Sequence, residues 1–452
     1  NAALSASTTG YNNIGVGCSA LTSVTTGYRN VAVGMNALRD ATTAVQNVAL
    51  GNNAGENITS DKNVAIGHNA LAAATTGEHN TGVGDGVLAN SSTSKNCAFG
   101  YHALVNQTTG SYNNAFGHNC MDATVTGPYN NAFGQNALGA LTGGTKNNAF
   151  GQDCLANLTT GDYNNAFGNS ALVNNNADYN TAMGHDALAA NTTGANNTAC
   201  GGNALDANTT GYDNTAVGYL ALDANTTGFE NTAVGVEALQ THTTGQGNTA
   251  IGHQALRLVE TSDWNTGCGE WAGQDITTGT NNLMLGYASG SSGAPSGSVT
   301  TGSNIVCLGN DSIAHLYCAD TSISSSDARD KTDVEDFKYG LSWITALRPV
   351  TYRWDRRTWY ADEENPKGTP DGSKKRDRIH IGFLAQEAIE VEKKHGYADK
   401  KDNMLIANQD EDEKDPSYGM KYERLVPVLV NAIKELSAEN DALKARLDAA
   451  GL

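Results

Sequence analysis

Ser326 and Lys331 are the two residues whose types and spacing suggest catalytic chemistry. A serine hydroxyl is a weak nucleophile until a base removes its proton, and a lysine amine serves as that base where burial lowers its pKa. The same spacing arises often by chance, and its ordinary interpretation is a turn serine beside a solvated lysine. Whether the pair is catalytic therefore depends on the sequence around it.

The composition of the chain changes close to this pair. The 452 residues include 51 glycines, and the net charge is -19. Charged residues make up 17% of the chain, against about 25% in an average domain. Only 6 of the 28 basic residues but 44 of the 51 glycines precede residue 326. We therefore predict two chemically different parts that join near residue 326.

Composition also excludes several classes of protein. No apolar run approaches the ~20 residues of a membrane span, so we predict no membrane insertion. A nucleic-acid surface needs clustered lysine and arginine, and the acidic balance argues against that partner. The glycines do not recur at every third residue, which excludes collagen.

A glycine closes a short apolar segment every 16 or 17 residues across the first part of the chain. An asparagine stands four residues before each of these glycines, alanine or glycine usually stands two before, and leucine usually stands four after. A fixed period of this length predicts a stacked repeat architecture. We number positions in each repeat from its repeat glycine. The repeat glycines are Gly17, Gly34, Gly51, Gly67, Gly84, Gly100, Gly117, Gly134, Gly151, Gly168, Gly184, Gly201, Gly218, Gly235, Gly252, Gly269 and Gly286.

Each repeat is typical of one coil of a β-solenoid, with two short extended segments separated by glycine and turn residues. Because side chains alternate along a strand, positions -3 and -1 face one side, and the small residue at -2 faces a narrow interior. Stacked coils rise about 4.8 Å each, which predicts a rod of roughly 80 Å. Five phenylalanines in register are interpreted as packing rather than as a ligand groove. They are Phe99, Phe116, Phe133, Phe150 and Phe167.

So thin a coil buries little apolar surface, and its outward apolar stripe is best buried against copies of itself around a rotation axis. The segment GYDNTAVGYLAL at 211–222 resembles the head repeats of trimeric adhesins, and related repeats occur in bacteriophage tail fibres. The resemblance covers about residues 1–290 and implies a left-handed β-roll in which three chains share one axis. We therefore predict a homotrimeric shaft over residues 1–286. Residues 1–4 already fit the repeat, so we expect attachment to an upstream virion tail protein.

Cysteine and histidine do not form a recognisable metal pattern. The eight cysteines include no Cys-x-x-Cys pair, and those within the repeats replace small or apolar residues, as in a chain that folds in a reducing cytoplasm. Four histidines share position +1 but lie three or four coils apart, so we predict no metal site and no cofactor. These are His68, His118, His185 and His253.

The segment 287–325 is predicted as an irregular β-rich connector, and a different domain follows it. Three motifs occur there in order, SDARDKTDV at 326–334, GLSWITALRPVTYRW at 340–354 and IGFLAQE at 381–387. Together they resemble the auto-cleaving intramolecular chaperone domain found at the C-termini of phage tailspikes and tail fibres. The resemblance covers residues 326–452 and implies a small α+β domain.

The resemblance also assigns a chemistry to the serine and lysine. The family cleaves its own chain immediately before a serine, with a lysine five residues later as its partner. It implies a scissile bond between Ser325 and Ser326, Lys331 as the base, and Asp327 as a residue that helps to position the site. The domain would then be a single-turnover serine self-endopeptidase rather than an enzyme on an external substrate.

The last segment, residues 422–448, is predicted as a helix because its apolar residues follow 3-4 spacing. The pattern indicates a short coiled coil for trimerisation, and the alternative is a lone amphipathic helix that packs on its own domain. The residues assigned to trimerisation are Leu425, Leu429, Leu436, Leu443 and Leu447.

These features predict a structural and host-recognition fibre of a phage virion, assembled in the cytoplasm of the host bacterium. Its receptor would be a saccharide or an outer-membrane component of the host surface. Trp264, Trp271, Tyr287 and Tyr317 are candidates for receptor contact, or else they cap the end of the rod. The alternative function is a bacterial trimeric surface adhesin, for which a membrane-anchoring C-terminus is expected. A polysaccharide depolymerase needs paired carboxylates, and acids in the repeats are sparse and out of register.

Overall fold

The computed structural model separates the chain into two compact units, Asn1–Ala314 and His315–Leu452. The residues that the structure describes are 2–294, 296–313, 332, 334–360, 368–409 and 418–451.

The described residues of the first unit form eighteen three-residue strands, one in each coil, and all of them belong to one sheet. The strands β1 to β18 are Ile14–Val16, Val31–Val33, Val48–Leu50, Val64–Ile66, Thr81–Val83, Cys97–Phe99, Asn114–Phe116, Asn131–Phe133, Asn148–Phe150, Asn165–Phe167, Thr181–Met183, Thr198–Cys200, Thr215–Val217, Thr232–Val234, Thr249–Ile251, Thr266–Cys268, Leu283–Leu285 and Val306–Leu308. This order confirms the predicted mainly β fold, a solenoid of ~17-residue repeats.

Each strand pairs in parallel with the strand of the next coil, so residues at the same repeat position lie side by side. Ala32, for example, pairs with Ala49. The last pairing, Leu283 with Val306, spans a longer segment of chain than the others. The solenoid therefore continues through β18, beyond residue 286, where the sequence placed the end of the shaft.

The interior of the solenoid is filled by the alanines and leucines of the repeat. Ala32, Ala37 and Leu38 are all completely buried. The prediction of a second extended segment in each coil is wrong, because the segment after the repeat glycine is a turn. The physical reason is that Ala37 and Leu38 are consecutive and both point inward, whereas a strand would send one of them outward. Leu38 accordingly has a left-handed backbone, with φ of 49°.

The asparagine at position -4 links each coil to its neighbours. Asn214 is fully buried. Its backbone N–H donates to Oδ1 of Asn197 at 3.1 Å, and its side-chain Nδ2 donates to the carbonyl of Gly228 at 2.8 Å. A buried amide without partners would be costly, and an asparagine at this position satisfies both neighbouring coils. This explains why asparagine recurs at every repeat.

The repeat glycine is required by close backbone contact. Gly34 has φ of 135°, and a Cβ placed on it would lie 2.2 Å from the carbonyl oxygen of Gly51. A side chain here would meet both a strained backbone and the next coil. Glycine therefore recurs with a strict period because each repeat glycine stacks closely on the backbone of the next coil.

The second unit is a small α+β domain. Its antiparallel strand pairs are β19 with β20 and β21 with β22. In chain order its elements are α1 Leu341–Ala346, β19 Val350–Tyr352, a 3-10 helix Arg357–Tyr360, β20 His380–Gly382, α2 Ala385–Lys394, a 3-10 helix Lys401–Asn403, β21 Ala407–Gln409, β22 Tyr418–Met420, a 3-10 helix Tyr422–Arg424 and α3 Leu425–Ala449. The 3-10 helix Tyr422–Arg424 continues directly into α3, and together they match the predicted terminal helix.

The core of this domain forms around Trp343 of α1, whose side chain is completely buried. Ala388 and Ile389 of α2 and Leu425 and Val428 of α3 belong to the same apolar cluster. The three helices therefore share one core, and the beginning of α3 is part of it.

Candidate functional site

The predicted self-cleavage site lies outside the described residues. Ser325, Ser326, Asp327 and Lys331 are all in this part of the chain, and so is Tyr317 among the receptor candidates. The described residues nearest to the site show instead how the motifs around it are arranged.

The second and third motifs meet through an ion pair. The guanidinium of Arg348 contacts the carboxylate of Glu387 at two points, with Nε 3.2 Å from Oε2. Both side chains are partly exposed, and the carboxylate raises the pKa of Arg348. A pair in solvent contributes little stability, but the two-point geometry fixes the orientation of the groups. The pair joins the segment before β19 to the first turn of α2.

Two glycines of the motifs allow close contacts with the C-terminal helix. A Cβ on Gly340 would lie 2.4 Å from the backbone nitrogen of Ala432, and a Cβ on Gly382 would lie 2.4 Å from the hydroxyl of Tyr422. The same hydroxyl accepts a hydrogen bond from the backbone N–H of Phe383 at 3.1 Å. The motif glycines therefore allow α1 to pack closely on α3 and β20 to pack closely on the 3-10 turn that precedes α3.

Glu392 is a buried acid that the sequence analysis did not identify. Its carboxylate is inaccessible to solvent and accepts backbone N–H bonds from Leu405 at 2.7 Å, Ile406 at 2.8 Å and Ala407 at 2.9 Å. Three such bonds compensate the cost of burying a carboxylate. The available signal was an acid beside Val391 on the apolar side of a helix. Its geometry gives it a structural role, to hold the segment before β21 on α2.

The described receptor candidates lie at the far end of the solenoid, and the structure brings two of them together. The rings of Trp271 and Tyr287 are 5.3 Å apart, and the ring of His253 lies 6.4 Å from Trp271. Trp264 is at another repeat position and is 57% exposed. It packs over Gly247 of the preceding coil, whose added Cβ would lie 2.8 Å from its ring. The described receptor candidates are thus one aromatic pair and a separate tryptophan.

A continuous apolar surface runs along the strands. We call the side chains at positions -3 and -1 of every coil the outward strand face. Position -1 is apolar in every strand from β1 to β18. The five phenylalanines lie on this face, stacked at 4.6–4.9 Å, rather than inside the coils. Phe167, at one end of the stack, is 41% exposed.

The terminal helix has two apolar sides. Leu425, Val428 and Ala432 are buried in their own domain, so Leu425 is a core residue of that domain. The other four leucines assigned to trimerisation are 43–55% exposed, and Val426 and Ile433 are exposed beside them. The leucines are Leu429, Leu436, Leu443 and Leu447. We call the exposed side the open helix face.

The described residues contain no group of three or more histidine, cysteine or acidic side chains close enough to hold a metal ion. His68 instead contacts Asp85 of the next coil, with Nδ1 2.9 Å from Oδ1. Burial raises the pKa of the Cys120 and Cys154 thiols to about 12. Among the helices in the described segments, none is both long enough and apolar enough to cross a bilayer.

Comparison with known proteins gives a family match within the second unit. Residues 326–397 match the family model described as chaperone of endosialidase. No curated protein and no solved structure matches the chain. The C-terminal part therefore contains a domain of this chaperone family, preceded by a β-solenoid, and this combination fits a tail fibre with a C-terminal chaperone domain.

Proposed function

We propose that the chain is the host-recognition section of a phage tail fibre, which its C-terminal chaperone trimerises and then releases by self-cleavage. The observation that supports this most directly is the family match, because it begins at residue 326, immediately after the solenoid and its connector. In this proposal the protein is assembled in the cytoplasm of the host bacterium and becomes part of the virion. The solenoid is the permanent part of the fibre.

The proposed cleavage converts one peptide bond into two new chain ends. The hydroxyl oxygen of Ser326 attacks the carbonyl carbon of Ser325 while the amine of Lys331 accepts the hydroxyl proton. The C–N bond then breaks, the amide nitrogen of Ser326 takes a proton, and an ester joins the two serines. Water hydrolyses the ester, which leaves a carboxylate on Ser325 and restores the Ser326 hydroxyl.

Mass spectrometry of the purified chain tests this step. The wild type is expected to yield fragments 1–325 and 326–452, and Ser326→Ala is expected to stay intact. Lys331→Arg keeps the charge but removes the base, so it is also expected to stay intact. Ser324→Ala is the matched control, because it removes a nearby hydroxyl and should cleave normally. An intact wild type, or cleavage of Ser326→Ala, would contradict the proposed self-peptidase.

The proposed homotrimer buries the two exposed apolar surfaces. The outward strand face is apolar at position -1 along all eighteen strands, and a stripe of this length is a typical surface for self-association. The interior of each coil, by contrast, is filled by its own alanines and leucines. Three chains around one rotation axis would cover the outward strand face of every chain and leave no interface unpaired.

The open helix face supports the same assembly. Its apolar residues fall on alternating three- and four-residue spacing, and Asn440 occupies the one polar position in that series. A single buried asparagine in a coiled coil fixes the register of the helices at some cost in stability. The helix would thus hold three chains in register while the coils, which have nearly identical strands, pair along the solenoid.

Native mass spectrometry tests the role of the helix. Leu436→Asp places a charge on the open helix face and is expected to give monomers or aggregates. Ala438→Asp introduces the same charge at an exposed position off the open helix face and should leave the trimer intact. A monomeric wild type, or an intact Leu436→Asp trimer, would contradict assembly through this helix.

Receptor contact by the aromatic residues is tested by adsorption to host cells. Trp271→Ala and Tyr287→Ala disrupt the aromatic pair, and Trp264→Ala removes the exposed tryptophan. Reduced adsorption by fibres that remain trimeric supports receptor contact. Unchanged adsorption by all three variants would assign these residues to the structure of the solenoid end.

A further inference from the structure

A row of lysines and tyrosines projects from one edge of the solenoid. These residues occupy position -5, immediately before the asparagine at position -4, where the backbone is left-handed with φ of 58–66° in these coils. We call the six residues from consecutive coils the Lys–Tyr ridge. They are Lys95, Tyr112, Tyr129, Lys146, Tyr163 and Tyr179.

Each lysine of the ridge is bound to the tyrosine of the next coil. Nζ of Lys95 donates to the hydroxyl of Tyr112 at 2.6 Å and lies 4.8 Å from the centre of its ring. Nζ of Lys146 likewise donates to the hydroxyl of Tyr163 at 2.6 Å and lies 4.5 Å from the centre of its ring. Because each phenol oxygen accepts from a lysine, its own proton remains available to a ligand. Each ammonium group also keeps two further protons for donation.

Each ring of the ridge has one face covered by another tyrosine. Tyr112 stacks on Tyr129 with the ring centres 5.0 Å apart, and Tyr163 stacks on Tyr179 at the same distance. Tyr112 and Tyr163 also have a lysine on the other side, so they present mainly their edges and hydroxyls to solvent. Tyr129 and Tyr179 are 50% and 57% exposed. The accessible chemistry of the ridge is a line of hydrogen-bond donors.

The part of the ridge from Lys95 to Lys146 is a local positive surface on an acidic unit, whereas Asp162 and Asp178 stand at position -6 beside Tyr163 and Tyr179. Of the six basic residues before residue 326, four stand at position -5, and the first acid at this position is Asp213. The four are Arg29, Lys62, Lys95 and Lys146. The neighbouring position -6 is uncharged between the two ridge lysines, where it is occupied by Ser94, Ser111, Pro128 and Thr145. An anion is therefore attracted to this segment more than to the rest of the solenoid.

We propose that the Lys–Tyr ridge binds an extended anionic polysaccharide that runs along the solenoid. Lys95 and Lys146 are three coils apart, which places their charges roughly 14 Å from each other. They would bind carboxylates of the saccharide, and the tyrosine hydroxyls between them would donate to its hydroxyl and ring oxygens. The proposal rests on the host-recognition role and assigns it a site on the shaft and an acidic ligand.

The geometry favours a saccharide over a single-stranded nucleic acid. Nucleic-acid sites of low specificity combine many cations with aromatic faces on which bases stack. Here only two lysines lie on the ridge, and every tyrosine ring has at least one face covered by another tyrosine. Donors at the ring edges match a ligand with many oxygen acceptors.

Direct binding to the purified, assembled protein tests the ridge, with polygalacturonate as the probe. The same polymer with methyl-esterified carboxylates is the matched uncharged ligand. We expect binding to polygalacturonate that weakens with salt, and at least tenfold weaker binding to the ester. The double variant Lys95→Gln, Lys146→Gln should lose at least tenfold in affinity, and Tyr112→Phe with Tyr163→Phe should lose severalfold. Arg257→Gln removes a cation outside the ridge and should bind as the wild type does.

Three results would overturn the proposal. These are no binding of polygalacturonate by the wild type, equal binding by the lysine variant, or tighter binding of single-stranded DNA than of the polysaccharide. The mass and the assembly of every preparation are recorded alongside. If the polysaccharide does not bind but the chain is cleaved and trimeric, the ridge proposal fails and the tail-fibre proposal stands. If the polysaccharide binds but the chain is neither cleaved nor trimeric, the tail-fibre proposal fails and the ridge proposal stands.

Discussion

His242 occupies, one coil after Asn225, the interior position that asparagine fills in the four coils before it. The asparagines form a buried ladder in which each Nδ2 donates to the Oδ1 of the preceding one at 2.7–2.8 Å. The ladder ends at the histidine, since Oδ1 of Asn225 and Nδ1 of His242 are both buried and make no hydrogen bond to the described part of the chain. The ladder residues are Asn175, Asn191, Asn208 and Asn225.

Replacement of His242 by asparagine is expected to stabilise the solenoid. The new Nδ2 would donate to Asn225 and to the carbonyl of Gly245, as the other ladder residues do. A satisfied buried acceptor is worth about 1 kcal/mol in the free energy of unfolding, measured by denaturant or thermal unfolding. His253→Asn makes the same chemical change at an exposed position and should alter stability by less than about 0.5 kcal/mol. Equal stability of His242→Asn and the wild type would refute the argument.

The same histidine predicts an acid-sensitive component of stability. Burial lowers the pKa of His242 below its usual value, against the opposing effects of its hydrogen bond to the carbonyl of Gly245 and of Asp263. The unfolded chain therefore binds this proton first, so stability falls as the pH drops below about 6.5. The loss levels off below the folded-state pKa. The difference in melting temperature between His242→Asn and the wild type should widen from pH 8 to pH 5. A constant difference would contradict the prediction.

Gly201 and Gly202 are adjacent, and the structure predicts opposite tolerance to alanine. A Cβ on Gly201 would lie 2.3 Å from the carbonyl oxygen of Gly218, on a backbone with φ of 146°. A Cβ on Gly202 would first meet the ring of Tyr219 at 3.5 Å. We expect Gly201→Ala to lower the free energy of unfolding by more than about 2 kcal/mol. Gly202→Ala should change it little, and comparable losses in the two variants would argue against the close stacking of coils.

Cysteine alkylation at pH 8 tests the proposed trimer interface. Cys120 and Cys154, whose pKa burial raises to about 12, should remain unmodified in the native protein. Cys18 and Cys268 are both exposed in the single chain. Of these two, Cys268 lies on the outward strand face and Cys18 does not. Peptide mass analysis should therefore find Cys18 modified and Cys268 protected in the assembled protein. Equal modification of the two would place the interface elsewhere.

The sequence predicts the parts of the fold that repeat. Gly34, Asn30 and Ala32 each recur at one position, and a recurring residue reports a constraint that every coil shares. The inward and outward alternation of side chains in a strand predicts extended backbone at Ala37 and Leu38. Both side chains point inward, however, and the backbone there is a turn.

Features that depend on contacts distant along the chain could not be predicted. Glu392 is explained only by the backbone of residues 405–407, and Leu425 only by the apolar cluster that it shares with Trp343 and Ala388. The Lys–Tyr ridge becomes visible only when the coils are stacked in register. The cleavage residues depend on the family resemblance, because their spacing alone carries little information.

The bonding of each coil only to its two neighbours makes the length of the solenoid adjustable in fixed increments. A deletion or duplication of one whole repeat would shift every later coil by a single rise and leave each remaining contact unchanged. A deletion of half a repeat would place side chains of the interior on the surface. Insertion or deletion of whole repeats therefore changes the length of the solenoid in units of about 4.8 Å.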